Sequence, residues 1–242
     1  KLNMVSTQIT TPFWGGFFVE FFLKEEGIMS KEKSILNWED INDKLFLRLE
    51  NRGKSMEVPD ERIRIPFLDL VVFIYCDWSK THWEGVYVNR NHLILWKQDK
   101  KDVLRAALRN TFQKDNIVIP ITDLLSSAFG KEIHIEEGSE KDMIVLTSRN
   151  LEYGATMLLN TLELKKLADR FNSDLYLLPS SVHEILAVRT DQNRDISLLM
   201  DMVQDANQTV VRDEDYLSDC IYYFDRKKCE IKIAVPTTAN IR

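Results

Sequence analysis

Apolar positions along the chain change their spacing from one stretch to the next, and each spacing predicts an element. Ile35, Trp38, Ile41, Leu45 and Leu49 recur at helical intervals, predicting a helix from Met29. Asn51-Arg52-Gly53 would close it, with Gly53 in the left-handed position after the last turn. The run FLDLVVFIYC (Phe67 to Cys76) is continuously apolar and rich in β-branched and aromatic residues, as a strand buried on both faces would be. Glu84 to Asn89 and His92 to Trp96 offer two short strands about an Asn89-Arg90-Asn91 turn. Asp99 to Phe112 predicts a helix capped by Asp99, with Val103, Leu104, Ala107, Leu108 and Phe112 on one face. A strand over Ile117 to Ile121 and a short helix over Thr122 to Phe129 follow. Lys131 to Asp142 is charged and reads as an exposed connection.

Beyond it, Met143 to Ser148 and Gly154 to Leu159 are expected strands. Asn160 to Phe171 is a helix with Asn160 and Glu163 in capping-box positions. Asp174 to Leu178 and Glu184 to Arg189 are strands joined by a Pro179-Ser180-Ser181 turn. Asp195 to Asn207 is a helix, Asp213 to Asp219 supplies at most one helical turn, and Cys220 to Phe224 pairs with Cys229 to Val235 as a hairpin. Strands in neighbouring pairs with helices between them predict an α+β fold with antiparallel or mixed sheets and packed helices. A pair of related β-rich halves stays open. The expected organisation is an N-terminal extension over 1–64 with one helix, an α+β domain over 65–235, and a tail over 236–242.

Composition narrows the function classes. The chain has 242 residues, 44% of them apolar, enough for a well-packed core. A net charge of −6 speaks against a phosphate-backbone binder, so nucleic acid is not the expected partner. Lys97, Lys100, Lys101, Arg105 and Arg109 share their stretch with Asp99 and Asp102 and read as a solvated helix face. Cys76, Cys220 and Cys229 are widely spaced, with no ligand-like pattern, and suit reduced thiols in the cytoplasm. The apolar run Pro12 to Leu23 contains Glu20 and is too short to span a bilayer, so no membrane role is expected. Lys24-Glu25-Glu26-Gly27 ahead of Met29 has the composition of a translated ribosome-binding site. Residues 1–28 are therefore upstream read-through or an amphipathic N-terminal helix.

Candidate chemistry concentrates at Ser180, Ser181, His183 and Glu184. A serine nucleophile with His183 as base would make a hydrolase, but residues two apart on a strand sit roughly 6–7 Å apart at the backbone. A nucleophile and its base need about 2.6–3.2 Å between heavy atoms. The alternative is a tight bend whose hydroxyls satisfy backbone donors. Asp225, Glu230 and Lys232 form a loose version of a magnesium-nuclease arrangement, in text that an ordinary half-buried strand also explains. Asp213, Glu214, Asp215 and Asp219 lack the glycine and terminal glutamate of a calcium loop. Trp78 and Trp83, if exposed together, would make a docking patch, whereas Trp96 is expected in the core.

The stretches VNRNHLILWKQDKKDVLRAALRNT (Val88 to Thr111), SDLYLLPSSVHEI (Ser173 to Ile185) and LSDCIYYFDR (Leu217 to Arg226) resemble domain-of-unknown-function family 5688. The likeness covers roughly Ile65 to Val235 and implies a bacterial cytoplasmic protein; it supplies no activity, cofactor or catalytic residue. The chain departs from the family pattern at Ile65-Pro66, where a basic pair is usual, and at Lys97, where glycine is usual. The expected function is a non-catalytic intracellular binding or regulatory module for a protein or small molecule, with cofactor and metal unassigned. Its surface would combine Ser180, Ser181, His183 and Glu184 with Trp78 and Trp83. The rivals are a hydrolase using Ser181 and His183 and a nuclease using Glu230 and Lys232.

Overall fold

A computed structural model describes residues 37–57, 61–77, 85–113, 116–130, 143–148, 150–191 and 195–235. The expectations for residues 1–36, Lys131 to Asp142 and the tail from Pro236 lie outside them. Helix α1 (Trp38–Ile41) and a 3₁₀ turn (Asn42–Lys44) lead into strand β1 (Leu45–Asn51) and helix α2 (Arg52–Glu57). Strands β2 (Ile65–Phe67), β3 (Leu70–Asp77) and β4 (Gly85–Tyr87) complete a first antiparallel sheet, in which β3 pairs with all three others. Helices α3 (Arg90–Trp96) and α4 (Lys100–Gln113) connect it to β5 (Asn116–Pro120), α5 (Ile121–Phe129) and β6 (Ile144–Ser148). A buried 3₁₀ segment (Gly154–Leu159), α6 (Thr161–Phe171), β7 (Leu175–Ser181), β8 (Glu184–Arg189), α7 (Ile196–Thr209), a 3₁₀ turn (Asp213–Asp215), β9 (Tyr222–Asp225) and β10 (Glu230–Ile233) follow. The second sheet is antiparallel throughout, in the order β10-β9-β7-β8-β6-β5. The fold is therefore α+β, and its two sheets differ in strand number and order.

Alternation decides the core. Leu45, Leu47 and Leu49 of β1 join Leu70, Val72, Ile74 and Cys76 of β3 beneath α4, which adds Val103, Ala106 and Ala107. The same cluster continues through Met157 and Leu158 to Leu164, Leu167 and Ala168 of α6 and one face of the second sheet. The sheet's other face, with Leu178 and Val188, is covered by Leu199 and Val203 of α7. β3 is buried along its whole length, as its apolar run predicts. Asp99, Asn160 and Asp195 cap α4, α6 and α7 by accepting backbone N–H bonds. Trp96 is in the core, and burial pushes the Cys76 thiol up to about 12, which keeps it inert.

Several expected elements change type. Of the helix expected from Met29, the described residues keep Trp38–Ile41, and Leu45–Asn51 is a strand, so the expected N-terminal extension contributes β1 to the first sheet. Positions 45 and 49 fit a helical and an alternating pattern alike; Leu47 breaks the tie. Gly53 lies inside α2 rather than after a helix end. The run Phe67 to Cys76 bends at Leu68 (φ 54°), so that β2 and β3 form a hairpin. His92 to Trp96 is helical, because the Asn89 side chain accepts from the His92 N–H while His92 Nδ1 accepts from the Asn89 N–H. Lys97 ends that helix in the left-handed conformation (φ 54°), the position that suits glycine. Gly154–Leu159 is 3₁₀ helix, not strand. The turn between β7 and β8 falls on Val182-His183; Pro179 to Ser181 continue the strand through an irregularity in register.

His92 carries a pH dependence. Its ring is half-buried, stacks on Trp96, and burial lowers its pKa below the ordinary 6.5. The unfolded chain then binds more protons than the folded one in the acid range, so stability falls as pH drops through about 6.5. Protonation also removes the Nδ1 acceptor that closes the cap. Urea midpoints at pH 7.5 and 5.5 should differ more in the parent than in His92→Gln; an equal drop in both would clear His92 of this role.

Candidate functional site

The outward face of the first sheet is built for contact with the second half of the chain. Where the leucines of β1 turn inward, Phe46, Arg48 and Glu50 turn outward. Register sets them beside Tyr75, Phe73 and Val71 of β3, and Tyr87 of β4 stands next to Tyr75. The Arg48 guanidinium lies 3.3 Å from the Tyr75 ring centroid and 3.7 Å from that of Tyr153, a cation held between two aromatic faces. Glu50 accepts from the Tyr87 hydroxyl at 2.5 Å and the Ser55 hydroxyl at 3.0 Å, and pairs with Arg62 at 3.4 Å. Burial first, and Glu50 second, push the Tyr87 phenol up to about 12, so it remains a donor. Burial also raises Tyr75, against the opposing charge of Arg48.

The facing wall comes from Tyr153, Val182 and the Asp213–Tyr216 turn. Together the two walls enclose a cleft of about 370 Å³. Lys54 reaches across it, donating from Nζ to the Asp213 carbonyl at 2.5 Å with its charge 4.9 Å from the Tyr216 ring. The Val182 N–H donates to the Asp215 carbonyl at 2.9 Å and ties the β7–β8 turn to this wall. His183 stands behind it. Its Nδ1 accepts from the Tyr153 N–H at 3.2 Å, so in the neutral ring Nε2 carries the proton and donates to Asp215 Oδ1 at 3.0 Å. Burial alone would raise the Asp215 carboxyl; Arg212, which bonds Oδ2, and His183 bring it below the ordinary carboxylate range.

The sequence singled out four residues of this turn; Ser181 and His183 support backbone N–H groups, and Ser180 and Glu184 bond each other. Ser181 is buried, and its Oγ accepts from the His183 N–H at 3.0 Å. Ser180 donates to Glu184 Oε1 at 3.1 Å. Neither hydroxyl meets the imidazole, whose two nitrogens are both engaged. Trp78 and Trp83 lie outside the described residues. Asp225 accepts from the N–H groups of Lys227 and Lys228, and Lys232 lies over Tyr223; neither lines the cleft. Among the described residues no three His, Cys, Asp or Glu side chains gather to hold a metal ion. Among them, too, no helix is long and apolar enough to cross a membrane.

Residues 18–226 match the model of a family described as a family of unknown function, DUF5688. The chain belongs to this family. No curated protein and no solved structure matches the chain.

In this DUF5688 protein the residues that shape the cleft are mostly ones that sequence patterns hide. A helix expected across Leu45 and Leu49 hides the common side that Arg48 and Glu50 share with Tyr75 and Tyr87. Asp215 stands in the sequence as one of four acids, Asp213, Glu214, Asp215 and Asp219, with nothing to set it apart. One signal was present: charged Arg48 and Glu50 alternate with leucines, the mark of a strand with a polar outer face.

Proposed function

We propose that this DUF5688 protein is a non-catalytic binding module that takes a small carboxylate ligand into the cleft between its sheets. One observation carries the reading. Arg48 is fixed between Tyr75 and Tyr153 with no carboxylate partner among the described residues, whereas Glu50, Asp215 and Arg62 beside it are already engaged. An oriented guanidinium in a walled cleft is suited to a planar carboxylate. The engagement of His183 on both nitrogens supports binding over hydrolysis, since a serine here has no neighbouring base. The binding unit spans both sheets, so it includes β1 as well as Ile65 to Val235. The three unbridged cysteines, one of them exposed, support a reducing, intracellular setting.

Titration calorimetry with a panel of mono- and dicarboxylates should find a binder that Arg48→Met weakens at least about tenfold, the loss of one charge-assisted hydrogen bond. Unchanged affinity in the variant would remove the cleft from consideration. Two results would overturn the non-catalytic reading: labelling by a reactive-serine probe that Ser181→Ala abolishes, or magnesium-dependent nucleic-acid cleavage that Glu230→Ala abolishes.

A further inference from the structure

A second hollow of about 630 Å³ opens on the other side of Arg62. Four basic side chains, Arg62, Arg64, Arg90 and Lys100, line it against one carboxylate, Glu61. The geometry points to a binding site there for the phosphate group of a small phosphorylated ligand, distinct from the Arg48 cleft.

The backbone prepares this wall. In Arg62-Ile63-Arg64 the isoleucine is buried, with its N–H on the Val88 carbonyl, so the flanking arginines point the other way. Arg62 is also bridged to Asn89, whose cap fixes the start of α3 and with it Arg90. Arg64 is anchored by Nη2 on the Ser55 carbonyl at 3.0 Å, and Arg62 by Glu50 and the rings of Phe73 and Tyr87. Glu61 is occupied by the Asn91 side chain. Arg90 and Lys100 have no ion pair among the described residues, and both are exposed at the rim. Two free cations beside two immobilised arginines favour a dianion over a monoanion. A phosphate monoester carries close to two charges near neutral pH and offers three acceptor oxygens to these donors. The overall charge of −6 favours a small ligand over a nucleic-acid strand, which would need the basic face to continue.

The test is a titration of the full chain with inorganic phosphate, phenyl phosphate and acetate, followed by heteronuclear NMR. Saturable phosphate binding at one site, stronger than acetate, is expected. Arg90→Gln with Lys100→Gln should weaken it at least about tenfold. Both residues are exposed, so the doubly substituted chain should keep the parent's melting temperature. Arg48→Met should leave phosphate binding unchanged, which separates this site from the carboxylate cleft. Absence of saturable binding, equal affinity in the doubly substituted chain, or loss only in Arg48→Met would each overturn the proposal. So would an oligonucleotide that binds ever more tightly with length, since that would make the hollow part of a nucleic-acid face.

Discussion

Asp69→Ala is expected to cost about 4 kcal/mol, because it strips the acceptor from two buried donors at once. Asp69 sits in the β2–β3 hairpin. Its Oδ2 accepts from Ser218 Oγ at 2.5 Å and its Oδ1 from the Tyr222 hydroxyl at 2.9 Å. Tyr222 is fully buried and Ser218 is 1% exposed, so water cannot replace the lost acceptor without opening the structure. Ser218 Oγ in turn accepts from the Cys220 N–H at 2.8 Å, which makes the carboxylate the centre of a four-residue lattice. Burial raises the Tyr222 phenol well above its ordinary pKa, so it remains a donor across the accessible pH range. The melting temperature should fall by about 10 °C for a chain of this length. Tyr222→Phe removes one donor and leaves Asp69 its bond from Ser218, so its cost should be about 1 kcal/mol. Similar melting of Asp69→Ala and the parent would show that the lattice contributes nothing.

Gly154→Ala should destabilise by about 3 kcal/mol through overpacking and should also weaken ligand binding in the cleft. A Cβ at this position would stand 2.5 Å from the His183 carbonyl oxygen and 2.5 Å from Thr147 Cα, both backbone atoms. The same carbonyl accepts from the Gly154 N–H at 2.9 Å and from Thr147 Oγ1 at 2.8 Å. Relief of the clash therefore moves the His183 turn, Tyr153 and the ring that holds Arg48. Gly130→Ala provides the comparison. Gly130 has φ 62° but open space around it, so alanine there should cost about 1 kcal/mol of backbone strain and leave binding intact. Denaturant titration and calorimetry on both variants separate the two cases. Equal costs, or full binding in Gly154→Ala, would refute the close-approach account.

Local signals made part of this fold legible and tertiary ones concealed the rest. α4, α6 and α7 were readable because an amphipathic period and a capping side chain, Asp99, Asn160 or Asp195, agree within each segment. β3 and the β9–β10 hairpin were readable from composition and spacing. β1 was missed because leucines four apart satisfy two periods. α3 was missed because its cap uses Asn89 and His92 rather than the usual hydroxyl and glutamate. The candidate site was half legible. Ser180, Ser181 and His183 mark a real corner, and its bend lies two residues later than proline suggested. Arg48, Tyr153 and Asp215 come from three distant segments, and nothing near any one of them announces the other two.

The lattice around Asp69 has a bearing on how the chain reaches this structure. Asn51 donates to the Leu217 carbonyl, Lys54 to the Asp213 carbonyl, and Asp69 holds Ser218 and Tyr222. The first sheet is thus fastened by residues 149 to 166 positions further along the chain. Such long loops are slow to close. A nascent chain that has delivered its first four strands still waits, with its arginines and tyrosines uncovered, for the stretch beyond Val211. The protein should behave as one cooperative unit whose slow step is the arrival of that late segment.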